Sequence, residues 1–449
     1  MPSSLPTGFT FASMKFLVKP SLRSSTSSMN IRETAVRILL PVLATPFHLR
    51  TAWNDLLPST IDPRDRAFVK RLVLGVLRRL AEVDYLIAKV SRKPLERLDP
   101  EILWVLRCAV YELLDSNTPE HAVLYEWAKL CRTFQKSSAT GFVNGVLREH
   151  LRNPASPPSG NDPASLAIRF SHPEWLVRRY LARHGLETAR KLMSHHNSEP
   201  DHFLWVNSFR TSLEDLSRLL RENDFPCDPV DGMPGCVRTS AAVAAHPLYR
   251  EGLGVFVDVS SQWIAHLPDL QDCARVADLC AAPGGKAFLL ASRLPAQAHL
   301  IASDVSAKRL RSMKERINRL RIPNIALAIC DQTGSCFRPG VFDFILLDVP
   351  CSGLGTLAAN PDIRWRFQPQ QFARLQAHQL DLLRSAFSLL EPGRELLYST
   401  CSTEPEENEE VITEFRRTEE GVAVLEPFCR TSPLSDGGQA FFAARLRRK

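Results

Sequence analysis

Two cysteines in this chain of 449 residues stand where apolar runs of sequence end. Cys401 closes the run ELLYSTC, and Cys351 follows the run FDFILLDVP. A free cysteine is most often a small buried packing residue, and this is the default interpretation of both. A cysteine at the mouth of a strand can instead present a thiolate, the nucleophilic form of the side chain, to a cleft.

A glycine-containing loop lies upstream of both cysteines. Residues 278–286 read DLCAAPGGK and follow another apolar run. Small side chains let the backbone approach a ligand closely, and the start of the following helix offers free N–H groups. The loop is neither GxGxxG nor GxxxxGK[ST], which disfavours a dinucleotide and a magnesium nucleotide. Asp304 ends the next apolar run, where a carboxylate suits ribose hydroxyls, so S-adenosylmethionine is a fitting cofactor.

Positioning these residues requires a sheet. Apolar strand-like runs alternate with helical ones after Gly254, which predicts a parallel sheet covered by helices on both faces. The runs before Asp304, Asp348 and Cys401 are then strands whose carboxyl ends share one edge, where ligands bind in such folds. If the strands that precede Cys351 and Cys401 are neighbours, both thiols line one cleft with Asp348.

This set of groups suits methyl transfer to a pyrimidine. Carbon-5 of the ring is a poor nucleophile, but addition of a thiolate to carbon-6 turns the ring into an enamine that can take a methyl group from a sulfonium. Asp348 could ease the addition through a hydrogen bond to the base. The proton on carbon-5 must then leave, the thiol must be expelled, and the base must first leave its stack.

A helical region precedes this part of the chain. One-faced apolar stripes predict a bundle of helices over residues 29–152. The stripe residues include Val69, Val73, Val76 and Leu80. Such stripes indicate core packing and say nothing of function.

The remaining boundaries follow from composition. Residues 153–163 (NPASPPSGNDP) are a breaker-rich linker, residues 164–250 are a mixed α/β region, and residues 251–449 hold the predicted sheet. Residues 1–28 are rich in serine and lack acids, which fits a disordered or mis-started tail, or alternatively an organelle transit peptide.

Bulk composition excludes several classes of protein. A hydrophobic fraction of 44% with 23% charged residues is typical of a soluble globular chain, and no apolar run is long enough to span a membrane. The net charge of +7 permits a nucleic-acid partner without requiring one. The eleven cysteines include no CxxC pair, so no metal is expected and the reduced cytoplasm is the expected compartment. Cys273, Cys330 and Cys336 are expected to be packing residues.

The motifs DLCAAPGGK, DVPCSG and YSTCS together resemble the RNA cytosine-5 methyltransferases of the Nol1/Nop2/Sun family, and residues 360–365 and 405–409 extend the likeness. The resemblance implies an α/β Rossmann-like class I methyltransferase domain that takes S-adenosyl-L-methionine. Residues 29–152 resemble NusB, an all-α RNA-binding domain, through the stretches at 66–80 and 141–148. The two together imply the arrangement of the bacterial 16S ribosomal RNA members of the family.

The resemblance also implies a role for each matching residue. Cys401 matches the nucleophile, and Cys351 matches the cysteine that helps to expel the product. Asp348 matches the acid between methyl donor and base, Asp304 the acid that holds the ribose, and Asp331 an acid near the adenine. The implied cofactor-binding residues are Cys280, Ala281, Ala282, Pro283, Gly284, Gly285, Lys286, Asp304, Asp331 and Asp348.

The expected activity is methylation of carbon-5 of a cytosine in free or partly assembled 16S ribosomal RNA, by a monomer that needs neither metal nor membrane. Transfer RNA is an alternative substrate, and an inert RNA-binding assembly factor is a second alternative, which Cys351 and Cys401 disfavour. Residues 308–321 hold seven basic residues and one acid, and are either a solvated face or a contact for RNA phosphates. The acidic run at residues 406–410 is expected only to support a helix start.

Overall fold

The computed structural model describes residues 30–44, 49–58, 60–115, 118–331, 336–435 and 437–449. The expectations for residues 1–28 lie outside this part of the chain. The chain divides after Gly160 into two compact units. Among the described residues, no helix is long and apolar enough to cross a membrane. The same residues contain no group of three or more His, Cys, Asp or Glu side chains able to hold a metal ion.

The first unit is helical, as its one-faced stripes predict. Its helices are α1 (Ile31–Ala44), α2 (Leu49–Leu56), α3 (Pro63–Arg78), α4 (Leu80–Val90), α5 (Pro100–Asp115), α6 (Glu120–Thr133) and α7 (Thr140–Arg152). Asp62 caps α3 by accepting a hydrogen bond from the backbone N–H of Arg64. The core includes one buried carboxylate, Glu112, which accepts hydrogen bonds from Arg32 and from the indole N–H of Trp127.

The second unit opens with two helices and a small antiparallel sheet. Its elements are α8 (Pro163–Arg169), α9 (Glu174–His196), β1 (His202–Val206), α10 (Leu213–Glu222), β2 (Asp228–Pro229), β3 (Cys236–Thr239), α11 (Pro247–Arg250) and β4 (Gly254–Phe256). The strand order is β2-β3-β1-β4. Because β4 pairs with β1, the domain boundary placed after residue 250 would cut through this sheet.

The larger sheet follows. Its strands are β5 (Arg275–Asp278), β6 (His299–Asp304), β7 (Ile325–Ile329), β8 (Phe342–Asp348), β9 (Leu390–Thr400), β10 (Val422–Arg430) and β11 (Phe442–Arg448). Its helices are α12 (Val259–His266), α13 (Gly285–Arg293), α14 (Ala307–Leu320), α15 (Ile363–Arg366), α16 (Gln371–Leu389) and α17 (Glu409–Thr418). The order is β10-β11-β9-β8-β5-β6-β7, with β7, β6, β5, β8 and β9 parallel and the two last strands antiparallel. This is the Rossmann-like class I arrangement, and the expected fold class is confirmed.

The sheet is buried on both faces, which explains its apolar strands. Phe288 and Leu289 of α13 pack into the core on one side, and Leu383 and Phe387 of α16 pack into the core on the other. The carboxyl ends of the parallel strands therefore share the one edge that helices leave open.

Candidate active site

The two cysteines of the sequence analysis meet at that edge. Strands β8 and β9 are parallel neighbours, with Asp348 paired to Ser399, so the loops that follow them start side by side. The Sγ atoms of Cys351 and Cys401 lie 3.1 Å apart. The contact with Cys401, followed by burial, raises the pKa of the Cys351 thiol well above its ordinary value. Cys351 therefore keeps its proton at neutral pH.

Asp348 stands beside the thiols at the end of β8. Its Oδ2 accepts a hydrogen bond from Lys286 Nζ at 2.7 Å, and its Oδ1 accepts one from Ser399 Oγ at 2.8 Å. Lys286 Nζ also lies 4.6 Å from the ring centroid of Phe441. The sequence placed Lys286 in the cofactor loop, whereas in the structure its ammonium group pairs with Asp348.

The charge of Lys286 is preserved despite its burial. Burial by itself lowers the pKa of this ammonium group, but Asp348 outweighs that effect and the electrostatic interaction with Cys401 adds to the rise, so the pKa lies above its usual value. A cation is thus fixed close to both the acid and the predicted nucleophile.

Asp278, which the sequence analysis did not select, ends β5 with its side chain 1% exposed. Its Oδ1 has no hydrogen-bond partner among the described residues. Burial, followed by the charge of Asp348, raises the pKa of Asp278 to about 8. A buried carboxyl oxygen without a donor is costly to leave unpaired, so it is a ready acceptor for a hydrogen bond from a ligand. The DLC start of the loop motif could have identified this residue.

A cleft opens beside the carboxyl ends of β5, β6 and β8. Cys280, Asp304 and Asp331 all line it, together with Pro350, the residue before Cys351. Residues 281–284 form the turn that leads into α13, and Gly285 and Lys286 begin the helix. Gly284 has a φ of +102° that only glycine adopts easily. The predicted cofactor residues are thus divided between the wall of a cleft and the turn beside it.

Asp304 is fixed in this wall. Its Oδ1 accepts hydrogen bonds from the backbone N–H of Ser306 at 2.8 Å and from Arg309 Nη2 at 2.9 Å. The side chain is buried, so its orientation is set before any ligand binds. Asp331 is an exposed residue of the same cleft.

The expectation that Cys330 and Cys336 are simple packing residues is wrong, because the two form a disulfide. Their Cα atoms are 5.9 Å apart. Composition could not reveal this pairing, and Cys330 also lines the cleft beside Asp331.

Helix α9 braces the turn that carries Cys401. The buried Glu404 forms ion pairs with Arg179 at 2.6 Å and with Arg183 at 3.1 Å. On the side of the Cys351 loop, the fully buried Arg364 donates hydrogen bonds to the carbonyl oxygens of Ser171 and His196, and to the Asn197 side chain. The segments that follow both cysteines are therefore tied to the helices that precede the small sheet.

The basic helix α14 is only partly available to a partner. Arg309 is engaged by Asp304, Arg316 donates to the carbonyl of Pro283 at 2.7 Å, and Arg319 stacks on Tyr249. Lys308, Arg311 and Lys314 are exposed on this helix. These three side chains remain candidates for contacts with phosphates.

Three family descriptions match successive parts of the chain. Residues 29–152 match the NusB family, and residues 172–246 match a ferredoxin-like domain of RsmF/B-like methyltransferases. Residues 265–447 match a family described as 16S rRNA methyltransferase RsmB/F. The three ranges correspond to the helical unit, the region of the small sheet and the large sheet.

Curated relatives match almost the whole chain. It is 30% identical over 432 residues to ribosomal RNA small subunit methyltransferase B of Serratia proteamaculans, which covers 94% of this chain and 99% of the relative. The protein of the same name from Pasteurella multocida is 31% identical, covering 95% and 98%. A probable ribosomal RNA small subunit methyltransferase B of Synechocystis is 32% identical, covering 83% and 85%.

Solved structures share the fold. PH0851 superimposes with a TM-score of 0.80 at 21% identity, over 94% of this chain and 100% of that one. A methyltransferase homolog protein from Pyrococcus horikoshii gives a TM-score of 0.57 at 26% identity, over 65% of this chain and 100% of its own.

Proposed function

Because the chain belongs to the family of 16S rRNA methyltransferases RsmB/F, we propose that it methylates carbon-5 of a cytosine in 16S ribosomal RNA through a covalent bond between Cys401 and carbon-6 of the base. The observation that carries this proposal is the pair of thiols 3.1 Å apart at the carboxyl edge of the sheet. A metal-independent addition to a pyrimidine ring needs one sulfur to attack and a second group to assist departure, and this pair supplies both.

S-adenosyl-L-methionine is the methyl donor that the residues fit. The unpartnered Oδ1 of Asp278 can accept a hydrogen bond from the cofactor, and Asp304 offers a fixed carboxylate to ribose hydroxyls. Asp331 and Cys280 line the same cleft and would enclose the remainder of the nucleoside. When bound, this cofactor supplies a methyl group on a positively charged sulfur, the electrophile that an activated carbon-5 requires.

The addition step uses Cys401, Asp348 and Lys286. The raised pKa of Cys351 keeps the proton on that sulfur, and Cys401 is the attacking sulfur in this proposal. Its Sγ forms a bond to carbon-6, and an electron pair of the ring shifts toward carbon-5. Asp348, held by Lys286 and Ser399, hydrogen-bonds to the edge of the flipped base and stabilises the altered ring.

Release of the product breaks the bond between Cys401 Sγ and carbon-6. The proton on carbon-5 leaves to a base or to solvent, the bond between carbon-6 and sulfur breaks, and its electron pair returns to Cys401. Cys351 lies within a hydrogen bond of that sulfur and, being protonated, can give its proton to the departing thiolate. Solvent then restores the proton on Cys351.

The substrate assignment follows the family. The curated relatives are named for the small-subunit ribosomal RNA, and the NusB match at residues 29–152 accompanies them. In this proposal residues 29–152 and 164–250 bind RNA, residues 251–449 carry the chemistry, and the activity is cytoplasmic. Transfer RNA remains the alternative substrate, whereas the juxtaposed thiols argue against an inert assembly factor.

RNA that contains 5-fluorocytosine tests the proposed chemistry. Fluorine at carbon-5 cannot leave as a proton, so release fails and we expect a covalent enzyme–RNA complex that survives denaturing electrophoresis. The complex should require cofactor and be absent with 5-fluorocytosine-containing transfer RNA. A 16S substrate that is methylated but never trapped would refute the covalent step, and trapping on transfer RNA alone would favour the alternative substrate.

Asp304→Ala should weaken binding of S-adenosyl-L-methionine. Loss of charge-assisted hydrogen bonds to ribose costs about 2–3 kcal/mol, or on the order of 100-fold in Kd. Calorimetric titration measures the effect. Asp381→Ala, which removes an exposed acid on α16, is the matched control. An unchanged affinity in a folded Asp304 variant would exclude Asp304 from the cofactor site.

A further inference from the structure

The segments after the two cysteines converge on one carboxylate, that of Glu407. Each cysteine is followed by a serine, Ser352 and Ser402. Glu407 Oε2 accepts hydrogen bonds from both hydroxyls, each at 2.5 Å. Its Oε1 accepts a hydrogen bond from the backbone N–H of Ser352 at 2.7 Å. The residue next to each thiol is therefore bonded to the same side chain.

Glu407 is itself held rigidly. Its side chain is 0% exposed, and Gln379 Nε2 donates to Oε1 at 3.1 Å and to the carbonyl of Pro350 at 3.0 Å. The hydroxyl of Tyr398 on β9 donates to the backbone carbonyl of Glu407 at 2.7 Å. These contacts connect the turn after β9 to both strands and to α16. The sequence analysis expected the acidic run to support a helix start, and this expectation is wrong for Glu407.

The negative charge of Glu407 also acts on the thiols. It is one of the groups that raise the pKa of Cys351, after the contact with Cys401 and burial. Burial raises the pKa of Glu407 itself, while the hydrogen bonds from Ser352 and Ser402 oppose that rise and favour the carboxylate.

We propose that Glu407 is a positioning residue that clamps the Cys351 and Cys401 loops together through Ser352 and Ser402 and so sets the contact between the two sulfurs. Neither hydroxyl can move without losing a hydrogen bond inside the protein, where an unsatisfied group is costly. The catalytic consequence of this clamp rests on the proposed function, but the geometry that it maintains does not.

A trivalent arsenical measures that geometry without RNA or cofactor. Phenylarsine oxide bonds to two neighbouring thiols with loss of water, and resists removal by the monothiol 2-mercaptoethanol only when both sulfurs hold it. We expect the full-length protein to form this adduct at Cys351 and Cys401, and Cys351→Ala to give the background from other cysteines. Glu407→Ala should reduce resistance to 2-mercaptoethanol at least 10-fold, and the resistance of Glu407→Gln, which keeps one acceptor oxygen, should lie between those of the unchanged protein and Glu407→Ala.

Two further variants keep the experiment decisive. The double variant S352A/S402A removes only the two hydroxyls and should lower the resistance as Glu407→Ala does, even if the latter fails to fold. Glu410→Ala, an exposed acid of the same run, should behave as the unchanged protein. Retained resistance in a folded Glu407→Ala or in S352A/S402A would overturn the proposal.

The catalytic consequence is a separate measurement. A displacement of the thiols by about 1 Å should lower kcat on the order of 100-fold in Glu407→Ala, with KM for RNA unchanged. A changed KM with an unchanged kcat would contradict a positioning role. The two proposals can fail separately. If the Glu407 variant lost arsenical binding but the unchanged protein showed no methyl transfer, the proposed function would be refuted and the proposed role of Glu407 as a clamp would stand.

Discussion

Cys401→Ala should abolish methyl transfer while leaving the cofactor site intact. Without the sulfur, carbon-5 is never activated, and we expect kcat to fall by at least about 10⁴-fold, as for other essential nucleophiles. Transfer of a radioactive methyl group to 16S ribosomal RNA measures the loss. The cofactor cleft is lined by other residues, so the Kd for S-adenosyl-L-methionine should stay within about 2-fold, well under the 1.4 kcal/mol that a tenfold change represents.

The matched control is Cys429→Ala, which removes a partly exposed thiol from β10. It should retain full turnover. If Cys401→Ala turned over at the normal rate, the assignment of the nucleophile and the covalent mechanism would both fail.

Cys351→Ala should instead accumulate the covalent complex with RNA, which Cys401→Ala cannot form. Cys401 can still add to the base, but the protonated sulfur that lies 3.1 Å away is gone, so expulsion slows and the enzyme remains bonded to ordinary RNA. Denaturing electrophoresis with labelled RNA should reveal a complex that the unchanged enzyme does not accumulate. Turnover should fall on the order of 10²- to 10⁴-fold, the range of a general acid.

The double variant C351A/C401A should form no such complex, which shows that Cys401 is the bonded residue. Recovery of free Cys351→Ala enzyme only, under conditions where methylated RNA is produced, would remove Cys351 from the release step.

The two predictions differ although the thiols occupy equivalent places. Each follows a parallel strand, and the strands are neighbours. What separates them is their surroundings. The contact with Cys401, burial and the negative charge of Glu407 all raise the pKa of Cys351, while Lys286 lies close enough to Cys401 to interact with it electrostatically.

The sequence was sufficient for the parts of the site that depend on strand ends. Alternation of apolar runs predicts which residues terminate parallel strands, and Asp304, Asp348 and the two cysteines stand at or just after such ends. The sequence could not predict that β8 and β9 are neighbours, because the order of strands along the chain permits several orders in the sheet. The shared cleft of the two thiols was therefore expected only if these strands were adjacent.

The sequence was not sufficient where side chains from distant segments meet. Lys286 pairs with an acid 62 positions away, and Glu407 meets Ser352 at a separation of 55. Cys330 and Cys336 are only six positions apart, but this spacing did not by itself predict that they form a disulfide. Such contacts depend on how the loops pack, and periodicity and motif spacing carry no information about that packing.

The ion pairs of Glu404 with Arg179 and Arg183 bear on whether residues 251–449, which hold the large sheet, can fold without the preceding helices. Both cations come from α9, which precedes the large sheet by some distance in the chain. A shortened chain that began at residue 251 would leave a buried carboxylate without its counterions, at a cost of about 3–5 kcal/mol. We therefore expect the domain that holds the large sheet to need α9 for its stability. A truncated or fused form of this domain should include the residues of α9.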